Sequence, residues 1–399
     1  MIFIIGMEPI NFDLESYLKE SKLEQFKKKS EIWRIEESSK KLQYFTHGFF
    51  RYYGKFPPPV ASKFLEEYHK KSDEVILDPM VGSGTTLVEA SLRNVDAIGL
   101  DVNELSVMLS KVKTTYIPPK KIRDIIIDFE KFTNKKIGKI EQFVPTDKYL
   151  EHWFHKKNIL ELGNIRKFIE STPMDSKLLN LLKVGLASII RNVSRASKAM
   201  GRMFLDPALE EVDTYQMYIK KILKYAEVME SWESKKKSQK VYLKNAKNIP
   251  LEDDSVGMTI CHPPYYNLYK YSSIFKFEML WSGFDYFGTK KSEIFEGFKL
   301  GKSELVPRYL NDMNEILNEI CRVMKKRRYC VLMMGDAVIK EKRLNTTSLL
   351  LQNMKKFDVE KIIIRIPKYT EASYAASQRR GTQNVGIKIP DHLVILKKK

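Results

Sequence analysis

The feature that most constrains this chain lies at residues 74–102. EVILDP (74–79) is a short apolar run closing on Asp-Pro, and VGSGTT (81–86) is a glycine turn. TLVEASLRN (86–94) has helical spacing, and DAIGLDV (96–102) is a second apolar run ending in an acid. Short apolar runs bounded by turn residues read as buried strands, and a helix between two of them makes a strand–helix–strand unit. Such units assemble into a parallel sheet with helices on its faces, so the expected class is α/β with a Rossmann-like, doubly wound sheet. A chain of 399 residues is long for one such core and predicts a sizeable insertion or a second domain.

The rest of the chain divides by period. Residues 12–40 are charged and read as helix, giving an N-terminal helical extension over 1–40 that opens on the short apolar run MIFIIG. That run has no basic residue before it and is read as a buried strand or a disordered lead, not a signal peptide. Residues 44–59, YFTHGFFRYYGKFPPP, are aromatic and proline-rich and cannot be regular helix throughout. Residues 119–240 carry long helical patterns with few strand signals, and are expected to be a helical insertion. Alternation returns at VYLKN (241–245) and SVGMTICHPPYYN (255–267), then at YCVLMMGD (329–336), with a helix expected over 305–325. The final runs VEKIIIRI (359–366) and DHLVILKK (391–398) are expected to form an antiparallel edge of the sheet. The α/β domain is therefore assigned to 41–118 and 241–399. KKRR (325–328) reads as a solvated turn.

The glycine turn suggests a ligand. Gly82 and Gly84 permit positive φ and close backbone approach, and the helix that follows presents its N–H groups to whatever sits there. Asp101, 17 positions after Gly84 at the end of the next strand, can accept hydrogen bonds from both ribose hydroxyls of a nucleoside cofactor. Asp78 can pair with a cationic amino-acid end. A phosphate-binding loop would need a lysine after Gly84, a nicotinamide site would place glycine or alanine where Leu87 stands, and a turn without ligand stays open. The second motif, CHPPY (261–265), ends an apolar run. Its two prolines remove two backbone donors and make a stiff corner with outward carbonyls. Alone, Pro-Pro-aromatic is a common loop.

Together these motifs resemble the amino-methyltransferases of DNA that act on adenine N6 or cytosine N4. Asp78, Pro79, Gly82, Ser83, Gly84, Thr85 and Thr86 match the family's DPFxGSGTT. Pro263, Pro264 and Tyr265 match its [Asp/Asn/Ser]-Pro-Pro-aromatic motif, and Tyr53, Gly54, Lys55, Phe56 and Pro57 match YxGKFxP. Asn245 and Gly257 stand where acids are usual. The resemblance covers about 41–116 and 241–398. It implies S-adenosylmethionine as cofactor, held by Lys55, Phe56, Pro57, Asp78, Pro79, the 82–86 turn, Asp101, Val102 and Asn245. It also implies a class I methyltransferase sheet and a target base drawn out of duplex DNA, stacked on Tyr265. The first motif residue is His262 instead of Asp, Asn or Ser. A neutral imidazole nitrogen can accept a hydrogen bond from the target amino group, whereas the protonated ring cannot. Activity is thus expected to fall below about pH 6.5, the ordinary histidine value. His262 leaves cytosine and adenine undecided, with a lean to cytosine N4 because a non-acidic residue is nearer to Ser.

The formal charge of +19 suits a polyanionic partner without proving one. RNVSRASKAMGR (191–202) places Arg191, Arg195, Lys198 and Arg202 at spacings of four, three and four, read as one basic helical face for DNA, with Arg379 and Arg380 as weaker contacts. The resemblance implies that the insertion reads the target sequence, and a cognate restriction endonuclease is a conceivable partner. Cys261, Cys321 and Cys330 form no CxxC pair, which argues against a disulfide scaffold or a zinc ribbon and fits a reducing, cytoplasmic setting. No metal site and no membrane span are expected. Two rival readings remain: a guanine-N2 methyltransferase of tRNA, and a catalytically weakened DNA-binding relative in a restriction or defence complex.

Overall fold

The structure, a computed structural model, describes residues 12–35, 41–135, 138–197, 204–232, 237–266, 271–294, 305–339, 342–367 and 390–399. Its main sheet contains β1 (Ser30–Ile35), β2 (Val75–Asp78), β3 (Ala97–Asp101), β4 (Gln239–Leu243), β5 (Val256–Cys261) and β6 (Met324–Gly335). A short hairpin, β7 (Ala337–Ile339) with β8 (Lys342–Leu344), lies apart, and β9 (Phe357–Pro367) and β10 (Asp391–Lys398) complete the sheet. The strand order is β1-β9-β10-β6-β5-β2-β3-β4. β10 runs antiparallel to both its neighbours, and every other pair is parallel. The Rossmann-like sheet is therefore as expected, with two adjustments. The reversed strand is not the outermost one but is inserted between β6 and β9. The N-terminal extension is not purely helical: after a helix at Leu14–Glu20 it supplies β1, which pairs with β9 as the true edge.

The period-two pattern explains why the sheet is two-sided. Ile76 of β2 packs on one face with Val60, Phe64 and Leu87, from helices Pro58–Tyr68 and Thr85–Leu92. Leu77, one residue on, packs on the other face with Leu317 and Ile320 of helix Val306–Val323. Alternate residues of β6 divide the same way, Val331 and Met333 against Cys330, Leu332 and Met334. Burying each such aliphatic side chain contributes about 1.5–3 kcal/mol, which fixes the strand register and hence the position of the strand ends.

KKRR is not a solvated turn. It lies inside β6, and Arg328 and Lys325 bond the buried Glu74 carboxylate (2.6 and 3.3 Å). Glu74 also accounts for Gly257: a Cβ there would sit 2.3 Å from the Glu74 Cβ, so an acid at 257 has no room.

The 119–240 region is helical, as expected, with its main helices at Pro119–Thr133, Lys156–Ser171, Ser176–Val193 and Thr214–Glu230. Their apolar faces form a core with the sheet-side helix Glu104–Lys113 and with the later helix Lys276–Trp281. Tyr225 stacks on Phe49 (4.1 Å between centroids) and donates to the Phe49 carbonyl, so the insertion grips the aromatic segment before the first strand of the α/β unit. Among the described residues no helix is long and apolar enough to cross a membrane. The MIFIIG run lies outside the described residues.

Candidate active site

β2 and β5 are parallel neighbours, so Asp78 and His262, at their carboxyl ends, emerge side by side. Between them opens a cleft of about 910 Å³, counted to its open mouth. In an open parallel sheet the crevice beyond the carboxyl strand ends is the expected place for a ligand. Here the glycine turn and the proline corner share it.

The turn owes its shape to its glycines. Gly82 and Gly84 have φ of +48° and +80°. A Cβ on Gly84 would lie 2.8 Å from the Ser110 Oγ and 3.0 Å from the Ser110 Cα, so this position is closed to larger residues by both torsion and space. Beneath the turn, the fully buried Lys113 donates to the Ser83 carbonyl (2.9 Å). Burial, with Lys55 and Lys221 nearby, holds its amine well below the usual lysine value.

Two carboxylates face the cleft at its glycine-turn end. Asp78 accepts from the Met80 amide (3.2 Å). Burial pushes its carboxyl up to about 7, against the easing effect of Thr86 and Met80, and Asp101 adds to the rise. Asp101 accepts from the amides of Gly82 (2.9 Å) and Asn103 (2.8 Å). Burial brings it to about 6 despite those donors. Two acids desolvated in one cleft make an environment that favours a cationic occupant. Val102 and Asn245 line the same cleft, as do Lys55, Phe56, Pro79, Ser83 and Thr85. Thr86 is buried behind, Gly84 caps the helix, and Pro57 caps helix Pro58–Tyr68 without lining the wall.

At the corner, His262 and Pro264 line the cleft. The imidazole meets Phe56 edge-on (5.7 Å between centroids) and Tyr265 likewise (5.4 Å). Burial lowers its value to about 4; Asp391 works against that drop and Arg365 with it. The ring is therefore neutral through the physiological range, and a fall in activity below pH 6.5 is no longer expected. Tyr265 corrects a second expectation. Its side chain is buried in the core beneath the corner and does not line the cleft, so its face is not offered to a base in this conformation. Among the described residues the cleft-lining aromatics are Tyr52, Phe56 and Tyr271, besides His262.

Several wall residues carried no motif. Tyr52 and Tyr271 stack across the mouth (5.6 Å, 21°), and Glu293 accepts from both the amide and the hydroxyl of Ser272. Lys244, Ala246 and Ile316 also line the cleft. Tyr52 had one available signal, its place directly before YxGKFxP. The 271–294 segment had none.

Of the basic stripe, Arg191 and Arg195 do not share a helical face. The helix ends at Val193, Arg191 is buried and donates to the Ile274 carbonyl (3.2 Å), and its guanidinium faces the Tyr53 ring. Arg195 lies past the helix end, with its amide on the Trp153 carbonyl (2.8 Å). Lys198, Arg202, Arg379 and Arg380 lie outside the described residues.

Comparison with known proteins bears on this site. Residues 8–111 match the family model described as DNA methylase, which spans YxGKFxP, the glycine turn and Asp101 but stops before the corner. The Type II methyltransferase M.MvaI of Kocuria varians is 32% identical over 161 residues, 37% of this chain and 34% of the relative. M.MjaII of Methanocaldococcus jannaschii is 32% identical over 149 residues, 36% of this chain and 28% of its own length. M.BsoBI of Geobacillus stearothermophilus is 21% identical over 60% of this chain and 53% of itself. The chain thus spans about a third of the first two relatives' lengths. Among solved structures, a geranyl diphosphate C-methyltransferase of Streptomyces coelicolor superposes with a TM-score of 0.35 at 8% identity, over 86% of this chain and 80% of that one.

Proposed function

We propose that this chain, which matches the DNA methylase family over residues 8–111, transfers a methyl group from S-adenosylmethionine to the exocyclic amino group of a base in double-stranded DNA. The observation that carries the reading is the shared cleft, with the glycine turn and its two carboxylates at one end and the His262–Pro264 corner at the other. The donor set suits this cofactor: Asp78 for its ammonium group, Asp101 for the ribose hydroxyls, Val102 and Asn245 for the adenine. Lys55 and Phe56 would close on the amino-acid part. When bound, the cofactor supplies an electrophilic methyl group on sulfonium.

The chain's own contribution is to make a poor nucleophile reactive. An exocyclic amino nitrogen shares its lone pair with the ring. Two acceptors, a neutral His262 nitrogen and a carbonyl of the proline corner, would accept hydrogen bonds from its two N–H groups and turn the lone pair toward the cleft. Their fixed positions replace solvent reorganisation, the largest usual term in such catalysis. The prolines keep those acceptors in place, and the neutral imidazole can take up the proton that the nitrogen loses. A base reaches this corner only by leaving the duplex stack. With Tyr265 outside the cleft wall, the stacking face we assign is that of Tyr271, a half-buried ring that lines the cleft. We favour cytosine N4, because the neutral His262 is closer in chemistry to an uncharged hydroxyl than to a carboxylate. We also assign target reading to the 119–240 insertion, with Arg191 as a strut, not a DNA contact.

The test is methyl transfer from labelled cofactor to duplex DNA and to tRNA in parallel, followed by digestion to nucleosides. The reading expects label in DNA as N4-methylcytosine. N6-methyladenine would change the base but keep the reaction; label in tRNA alone would overturn the substrate. Cofactor binding with no transfer to either would leave a DNA-binding relative.

A further inference from the structure

The corner at 263–264 has no backbone N–H to give, so it can be tied down only through its carbonyls and side chains. Tyr309 does this: its hydroxyl donates to the Pro264 carbonyl at 3.0 Å. The phenol is only 1% exposed, and Tyr266 packs edge-on to it (5.4 Å, 72°). Tyr309 belongs to helix Val306–Val323, whose Tyr309, Met313, Ile316 and Ile320 form one buried row. Ile316 of the same row lines the cleft.

We propose that Tyr309 is a positioning residue for methyl transfer: by holding the Pro264 carbonyl it fixes the corner so that His262 faces the target amino group. The inference rests on the function proposed above.

Tyr309→Phe keeps the ring and removes only the hydroxyl. Three quantities are read on it: kcat on duplex DNA, the cofactor Kd by calorimetry, and hydrogen exchange at the Tyr265 and Tyr266 amides that follow the corner. We expect kcat to fall about ten- to hundred-fold, the scale of a small misplacement of catalytic groups. The cofactor Kd should stay within about twofold and the two amides should exchange faster, while those of 82–86 do not change. Met313→Ala is the control for mere packing: it removes buried volume from the same row, should lower Tm, and should keep kcat within about threefold. A Tyr309→Phe protein with wild-type kcat overturns the inference, as does one whose kcat loss is matched by Met313→Ala. If the wild-type protein transfers no methyl group, the underlying reading fails. Exchange at Tyr265 and Tyr266 then decides the anchor by itself, and unchanged exchange overturns it.

Discussion

The two ends of the cleft solve opposite problems. At the glycine turn, two carboxylates are kept out of water with little to neutralise them, Asp78 at about 7 and Asp101 at about 6. At the proline corner, 262–264, burial instead strips charge away, and His262 drops to about 4. One end invites a cation; the other offers uncharged acceptors. Both effects come from the same physical cause, desolvation, acting on groups of opposite charge type. A cationic methyl donor at the acidic end and a neutral amino group at the other would each meet the end that suits it.

The largest effect that would break this comparison is steric. Gly84→Ala forces an L side chain into φ +80° and against the Ser110 Cα. The strain costs about 1–3 kcal/mol, with the overlap in addition. We expect cofactor binding too weak for calorimetry to register, and a lowered Tm; an unchanged Kd would mean that the turn does not form the cradle. Next in size is Asp101→Asn, which removes a charged acceptor. Loss of a hydrogen bond to a charged group costs about 1.5–3 kcal/mol, so the Kd should rise ten- to hundredfold while kcat at saturation changes little.

The pH dependence sharpens the contrast. Folded Asp78 and Asp101 both lie above the ordinary aspartate value. Their contribution to stability is therefore complete below about pH 3.8 and is lost as pH rises through about 6 and 7. A cationic ligand favours their ionised forms, so its binding should release protons and strengthen with pH. The rise in Tm on adding S-adenosylmethionine should be larger at pH 8 than at pH 5.5. An equal or smaller rise at pH 8 would show that these acids do not face the ligand. His262 predicts the reverse sensitivity: kcat at saturating cofactor should be flat from pH 8 to about pH 5 and fall only near pH 4. A fall centred on 6.5 would mean that the imidazole is solvated. The smallest effect is expected at Tyr265→Phe, whose ring already lies in the core: kcat should stay within about threefold.

What could be read from the sequence follows the same division between contiguous and distant structure. The unit at 74–102 was legible because its two strands, turn and helix lie within thirty residues, and each carries its own period or glycine signal. That Asp101 reaches the Gly82 amide follows from the same compactness. The corner was legible as a motif, yet the burial of Tyr265 was not, since it belongs to a core built from helix Val306–Val323 and from strands far along the chain. Arg191 shows where helical spacing misleads: the four-three-four pattern assumed a helix through 202, but Val193 ends it, and a buried arginine bonding Ile274 looks like a surface arginine in a linear sequence. β1 was missed because SEIWRI is an edge strand whose partner, β9, lies over 300 residues away. The wall at 271–294 had no local signature, its place being set by the insertion core against which Lys276–Trp281 packs.

The most direct measurement is calorimetry of S-adenosylmethionine on Asp78→Asn and His262→Ala, each paired with methyl transfer at saturating cofactor. The account predicts that Asp78→Asn weakens binding at least tenfold, whereas His262→Ala binds within twofold of wild type and loses about a hundredfold in transfer. If both variants lose binding alike, or if His262→Ala transfers at the wild-type rate, the two ends of the cleft do not have the separate roles assigned to them.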